Sequence, residues 1–185
     1  MFDQARARGP GRVNLIGEHT DYNLGLCLPV AIDRGVTVAA EAIDGDRVEA
    51  VAVDLGETDS FPLAEPGRAD GWRAFVRGTV GELRAAGHAA PAARLEIQGD
   101  VPQGSGLSSS AALESALCLA LLALAGEEPN RLELAHVSAR VENEWVGAQT
   151  GLLDHLAALF SREGSALRID IATMEPVKWT LASIS

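Results

Sequence analysis

Lysine is almost missing from this chain of 185 residues; Lys178 is the only one. That excludes a Walker A phosphate loop, which needs a Lys-Ser/Thr pair after its last glycine. Basic residues are scarce in general. The chain carries 15 Lys and Arg against 26 Asp and Glu, a formal net charge of −11, with no basic cluster. A surface of that sign does not draw nucleic acid or an anionic membrane, so neither is expected as a partner. A small phosphorylated ligand held by local dipoles remains compatible with it. Cysteine is limited to Cys27 and Cys118, both in apolar runs. Buried free thiols are therefore expected, not a disulfide or a metal pair. The N-terminus has no apolar signal core, and the longest apolar stretch, Ala116 to Ala125, is too short to span a bilayer. A soluble, cytoplasmic protein is the expectation. There is no repeat or low-complexity segment, and with 47% hydrophobic residues the chain can bury a core.

What is present centres on residues 101–114, Val-Pro-Gln-Gly-Ser-Gly-Leu-Ser-Ser-Ser-Ala-Ala-Leu-Glu. Gly104 and Gly106 precede Ser108, Ser109 and Ser110, and an apolar helical run from Ala111 to Ala125 stops at Gly126. Glycines admit positive φ and close backbone approach to a ligand. The unpaired N–H groups at a helix start, with the positive end of its dipole, form an anion site. The stretch reads as a phosphate cradle. Gly-x-Gly-x-x-Gly fails at Ser109, so it is not a dinucleotide fingerprint. The plainer reading is a serine-capped helix after a tight turn, since Ser is a favoured N-cap residue.

The remaining pattern is a mixed α+β order of strand, hairpin, helix, strand, three helices and strand. Val13–Ile16 and Leu26–Ile32 read as strands around a polar loop, Gly17 to Gly25. Residues 36–43 and 47–55 read as two strands joined at Asp44-Gly45, a hairpin signal. Pro62 to Asp70 reads as a linker, and Trp72 to Ala86 as a helix ending at Gly87. Leu95 and Ile97 alternate into a strand that leads to the glycine stretch. Pro129–Val146 and Leu152–Phe160 read as helices, and Leu167, Ile169 and Ile171 as a last strand. After it, another strand or a linker is expected.

Asp154 interrupts an otherwise apolar helix. A carboxylate there must be paired, exposed or functional, because burying an unpaired charge is costly, and Arg12 is a candidate partner. Glu142 alone is an ordinary helix glutamate. With the Ser110 hydroxyl it forms the hard oxygen set that suits Mg²⁺, provided the glycine stretch binds a nucleotide. Glu18, His19, Thr20 and Asp21 form a polar cluster whose carboxylates suit sugar hydroxyls; a metal site or a capped, solvated turn are the other readings.

Together these stretches resemble the galactokinases, within the GHMP superfamily of small-molecule kinases. The resemblance is carried by residues 11–23, Gly-Arg-Val-Asn-Leu-Ile-Gly-Glu-His-Thr-Asp-Tyr-Asn, by Pro102–Ser110 and by residues 151–155, Gly-Leu-Leu-Asp-His. It implies an α+β fold of sheet packed with helices, the GHMP-kinase N-terminal domain of the ribosomal protein S5 domain 2-like type. That domain would occupy residues 1–185, with the sugar signature at 9–34, the ATP-phosphate loop at 101–114 and the catalytic segment at 142–160. It implies ATP-dependent phosphorylation of the anomeric hydroxyl of galactose, with ATP as co-substrate and Mg²⁺ as cofactor. Carried over by position, Asp154 is the base and Arg12 orients it and stabilises the transferring phosphoryl group. Glu18, His19, Thr20, Asp21 and Gly151 bind the sugar. Gly104, Ser105, Gly106, Leu107, Ser108, Ser109 and Ser110 hold the triphosphate, with Trp72 near the adenine, and Ser110 and Glu142 ligate Mg²⁺.

Two departures qualify the carry-over. Leu153 and His155 stand where most relatives have Met and Gln, and the second lobe that the resemblance leads one to expect, with its third glycine-rich motif, is absent from this chain. The alternatives are a kinase for N-acetylgalactosamine or arabinose, a non-catalytic galactose and ATP sensor, and an inactive fragment. The intact run Ser108-Ser109-Ser110-Ala111-Ala112 favours the enzyme over the sensor.

Overall fold

The computed structural model describes residues 2–17, 23–102 and 104–180. Eight strands form one sheet: β1 (Gln4–Asn14), β2 (Leu26–Cys27), β3 (Pro29–Ala42), β4 (Arg47–Ala52), β5 (Glu57–Pro62), β6 (Ala93–Gly99), β7 (Ser165–Asp170) and β8 (Glu175–Thr180). The path through the sheet is β2-β7-β3-β6-β4-β5, with β1 pairing on β3 and β8 on β7. All pairings are antiparallel except β4 with β6. Four α-helices accompany it: α1 (Trp72–Ala85), α2 (Ser109–Ala125), α3 (Arg131–Arg140) and α4 (Leu153–Phe160).

Burial alternates along the strands, so one face of the sheet is packed and the other is solvated. Val36, Val38 and Ala40 of β3, Val48 and Ala50 of β4, and Leu95 and Ile97 of β6 point into the core. The outer face carries Arg94, paired with Glu49 at 3.1 Å and Glu41 at 3.6 Å. Helix α2 is apolar all round, and such a helix belongs inside. Its Ala116, Leu117, Cys118, Leu121, Leu122 and Leu124 are fully buried between the sheet and the other helices. Burial pushes the Cys118 thiol up to about 12, and both cysteines are buried thiols.

Asp44-Gly45 does not join a hairpin. The turn exists, with Gly45 at φ +109, but β6 lies between β3 and β4 and pairs with both. The hairpin partner of β4 is β5, reached through a short 3-10 turn at Val53–Leu55 closed by Gly56 at φ +65. Residues 53–55 are thus turn instead of strand. The sequence around β5, Glu-Thr-Asp-Ser-Phe-Pro, is too polar to announce a strand, and only Phe61 in it reaches the core. The helix expected over 129–146 is α3 followed by a π turn, Val141–Val146.

Strand β5 is fastened to α1 by Arg77, whose Nε donates to Asp59 Oδ2 at 2.8 Å and Nη2 to Oδ1 at 2.7 Å. These bonds hold the Asp59 carboxyl below its ordinary value of 3.8. A depressed carboxyl pKa contributes stability that is present above the ordinary value and is lost as pH falls through the folded one. Asp59→Asn should therefore cost about 1.5–3 kcal/mol at neutral pH, the range for hydrogen bonds to charged groups. It should also flatten the fall of Tm below about pH 4. Thermal melts of both proteins across that range test this, and identical acid limbs would refute it.

Candidate functional site

The site is built where β1 crosses the start of α2. The register of β1 on β3 slips between Pro10 and Arg12, a bulge of the kind that re-aims a side chain. At the slip, Asp100 takes over from the ladder. Its Oδ1 accepts from Gly35 N at 2.6 Å, and its N–H donates to Gly35 O at 3.0 Å. The strand runs so close to α2 that a Cβ on Gly9 would lie 2.0 Å from the Ala112 carbonyl oxygen. Beyond the slip, Arg12 N donates to Leu107 O at 3.1 Å. The Arg12 side chain then reaches two groups: Nη1 donates to Gly106 O at 2.7 Å and Nε to Asp154 Oδ1 at 2.8 Å.

The glycine stretch turns on three left-handed residues, Gly104 (φ +69), Gly106 (φ +71) and Ser108 (φ +57). Ser108 occupies the N-cap position of α2 but does not cap it. Its hydroxyl donates to Asp154 Oδ2 instead. The plain serine-capped helix is thereby replaced by a helix start with no side-chain cap, the kind of place where backbone amides can take an anion. Asp154 has one carboxylate oxygen on Arg12 and the other on Ser108, and is part-buried.

Two clefts meet at Ser109 and Ser110. One, of about 250 Å³, is lined by the glycine stretch, Arg12 and Asp154. The other, of about 580 Å³, is largely apolar and includes Trp72, Phe75, Leu55, Ile97 and Leu113. Trp72 is oriented there by its indole N–H, which donates to Glu57 Oε2 at 2.8 Å. Gly104 to Ser110 and Trp72 thus lie along one continuous depression, polar at one end and apolar at the other. Glu18, His19, Thr20 and Asp21 lie outside the described residues. Gly151 lies in the loop between the π turn and α4, partly buried.

Glu142 is buried below the clefts and lines neither. Its Oε2 accepts from Thr150 Oγ1 at 2.5 Å and lies 3.6 Å from His155 Nε2. His155 in turn is 2.7 Å from Glu114 Oε2. Burial pushes the Glu114 carboxyl up to about 8. Burial alone would pull the His155 imidazole down, but Glu114, with Glu142 and Asp154, outweighs it and the net shift is upward. The Glu142 carboxylate with a hydroxyl oxygen is the donor set Mg²⁺ takes. The residues present therefore fit that ion.

Sequence reasoning did not find the Glu114–His155 pair. The available signal was a charged residue, Glu114, in the apolar run of α2 and His155 beside Asp154 in α4, since a buried charge needs a partner. It also missed that Ser108 serves Asp154, because spacing alone does not tell a capping hydroxyl from one turned away.

Comparison with known proteins accords with this geometry. Residues 2–42 match the galactokinase galactose-binding signature, and residues 74–162 the GHMP kinases N terminal domain. The chain belongs to the galactokinase branch of the GHMP kinases. A galactokinase of Mycobacterium tuberculosis H37Rv is 47% identical over 171 residues, which is 91% of this chain and 47% of that protein. The crystal structure of Lactococcus lactis galactokinase complexed with galactose superposes with a TM-score of 0.91 at 34% identity, covering 97% of this chain and 48% of that one. Methanococcus jannaschii mevalonate kinase, at 20% identity and a TM-score of 0.77 over 96% of this chain and 56% of its own, shares the fold. The chain thus spans about half the length of the galactokinases it matches. No helix among the described residues is long and apolar enough to cross a membrane.

Adding a methyl group at Gly9 would push β1 from the first turn of α2. Gly9→Ala should destabilise the fold by about 1–3 kcal/mol, as overpacking does. Urea unfolding of the variant tests this; an unchanged midpoint would show that the crossing tolerates a side chain.

Proposed function

We propose that this chain supplies the nucleotide-phosphate loop and the proton acceptor of a kinase that transfers the γ-phosphoryl group of ATP to the anomeric hydroxyl of galactose, forming galactose 1-phosphate. The observation that carries the reading is the carboxylate of Asp154, held by Arg12 and Ser108 beside an uncapped helix start. Phosphoryl transfer asks a protein chiefly for positioning and for stabilising charge. In this reading the α2 amides and the loop N–H groups bind the phosphates, and the apolar cleft with Trp72 takes the base. Ser110 and Glu142 would hold Mg²⁺, which would supply positive charge toward the phosphates. Glu18, His19, Thr20, Asp21 and the backbone at Gly151 are assigned to the sugar. They are supported by the matching signature and by the galactose named with the Lactococcus lactis protein.

The proton is handled by Asp154. Its Oδ1 faces Nε and Nη2 of Arg12 at 2.8 and 2.5 Å and its Oδ2 accepts from Ser108, which leaves a lone pair on Oδ2 for the hydroxyl proton. When that proton arrives, the Arg12–Asp154 pair loses its negative member. Arg12 then carries an uncompensated positive charge beside the transferring group, where charge stabilisation is most valuable.

Asp154→Asn keeps the shape and the Arg12 contact but cannot take the proton. It should lower kcat at least about 100-fold while nucleotide affinity stays within a few-fold. The assay is phosphorylation of a panel of galactose, N-acetylgalactosamine and arabinose. It would be run on this chain and on any longer product of the same reading frame. Retention of more than a few per cent of kcat would remove Asp154 as the base. Preference for another sugar would reassign the substrate.

A further inference from the structure

We propose that His155 is a positioning residue for Glu142, holding its carboxylate where it meets the cation that accompanies the nucleotide; this rests on the reading of Glu142 as a Mg²⁺ ligand. Three separate segments converge on this point. Glu114 comes from α2, one turn after Ser110; Glu142 from the π turn; His155 from α4, next to Asp154. Glu114 and His155 are fully buried and Glu142 is 4% exposed, and one polar atom from each lies within 4.8 Å of the others.

The geometry gives each member a distinct task. His155 Nε2 lies 2.7 Å from Glu114 Oε2, which fixes the ring. The same nitrogen is 3.6 Å from Glu142 Oε2, which also accepts from Thr150 at 2.5 Å. Glu142 Oε2 thus accepts from Thr150 and has the imidazole beside it, while Oε1 carries neither contact. The backbone agrees, because Gly147 and Ala148 both donate to the Glu142 carbonyl, at 2.9 and 3.0 Å, and close the π turn around it. A π turn inserts one extra residue into a helix and is frequent at functional sites; here it aligns Glu142 with α4. Second-layer partners that orient a ligating carboxylate are the general means of tuning metal affinity, and losing one typically costs 10–100-fold. His155 fills that position from α4, its ring fixed from the α2 side by Glu114.

The test measures binding of Mn²⁺ by its electron paramagnetic resonance signal, in the presence of a non-hydrolysable ATP analogue. His155→Leu leaves Glu114 buried without a partner and risks misfolding, so it is combined with Glu114→Gln. The double variant is expected to fold, to bind the analogue within about threefold, and to weaken Mn²⁺ about 10-fold or more. His155→Gln, which keeps a side-chain N–H donor, should restore Mn²⁺ affinity to within about twofold. A double variant with lowered Tm and unchanged Mn²⁺ affinity would overturn the proposal, since packing alone would then be the role of His155. Glu142→Gln separates the two readings. If it leaves Mn²⁺ affinity unchanged, or if the wild-type protein binds no Mn²⁺, the ligand assignment of Glu142 fails and the proposal with it. If Glu142→Gln weakens Mn²⁺ and the double variant does not, only the role of His155 fails.

Discussion

The contact on which the rest depends is the crossing of β1 over the first turn of α2. Two backbones can lie this close only where one has no Cβ, and Gly9 provides that against the Ala112 carbonyl. Everything at the site is measured from this crossing. It brings Arg12 N to Leu107 O and fixes the exit of the glycine stretch. With the register slip at Pro10–Arg12 it also turns the Arg12 side chain toward α4. Arg12 and Asp154 are 142 positions apart in sequence, and their pairing is a result of packing two elements on the same helix.

Helix α2 carries both the stability and the strain. Its fully buried Leu117, Leu121, Leu122 and Leu124 anchor it in the core; each such side chain contributes about 1.5–3 kcal/mol of burial. Its first turn is wasteful by the rules of helix design. A forgone N-cap costs about 1 kcal/mol, and a non-glycine residue held at positive φ costs about 1–3 kcal/mol. Ser108 incurs both. The buried body of the helix makes these losses tolerable. They leave a set of backbone amides without a side-chain partner, and they free a hydroxyl to orient Asp154.

The sequence was most legible where one local pattern decides the outcome. The apolar run of α2, the helix from Trp72 and the alternation at Leu95 and Ile97 each have a single period, and each lies where its period says. The family likeness drew on short motifs in order, and these brought Arg12, the glycine stretch and Asp154 to one place. Legibility failed where the answer was non-local. Asp44-Gly45 makes a turn whatever follows it, and nothing local says that β6 will enter between the two strands. Four of the six residues of β5 are polar, because only Phe61 has to face the core. The π turn has no composition of its own, since Val141 to Val146 reads as ordinary helix, and it is set by how Gly147 and Thr150 bond back onto Glu142.

A chain of net charge −11 that is to take a polyphosphate, as proposed, needs its positive potential to be local. Arg12 does not supply it in the resting arrangement, because its charge is balanced by Asp154 at 2.5 Å. The amides at the start of α2 do, together with those of the left-handed loop, since backbone dipoles add positive potential without adding net charge. The Arg12–Asp154 pair beside these dipoles is neutral at rest. Such a pair becomes positive only when its aspartate gains a proton. In the proposed reaction that proton comes from the sugar hydroxyl, so the charge that stabilises the transferring group is switched on by the substrate itself.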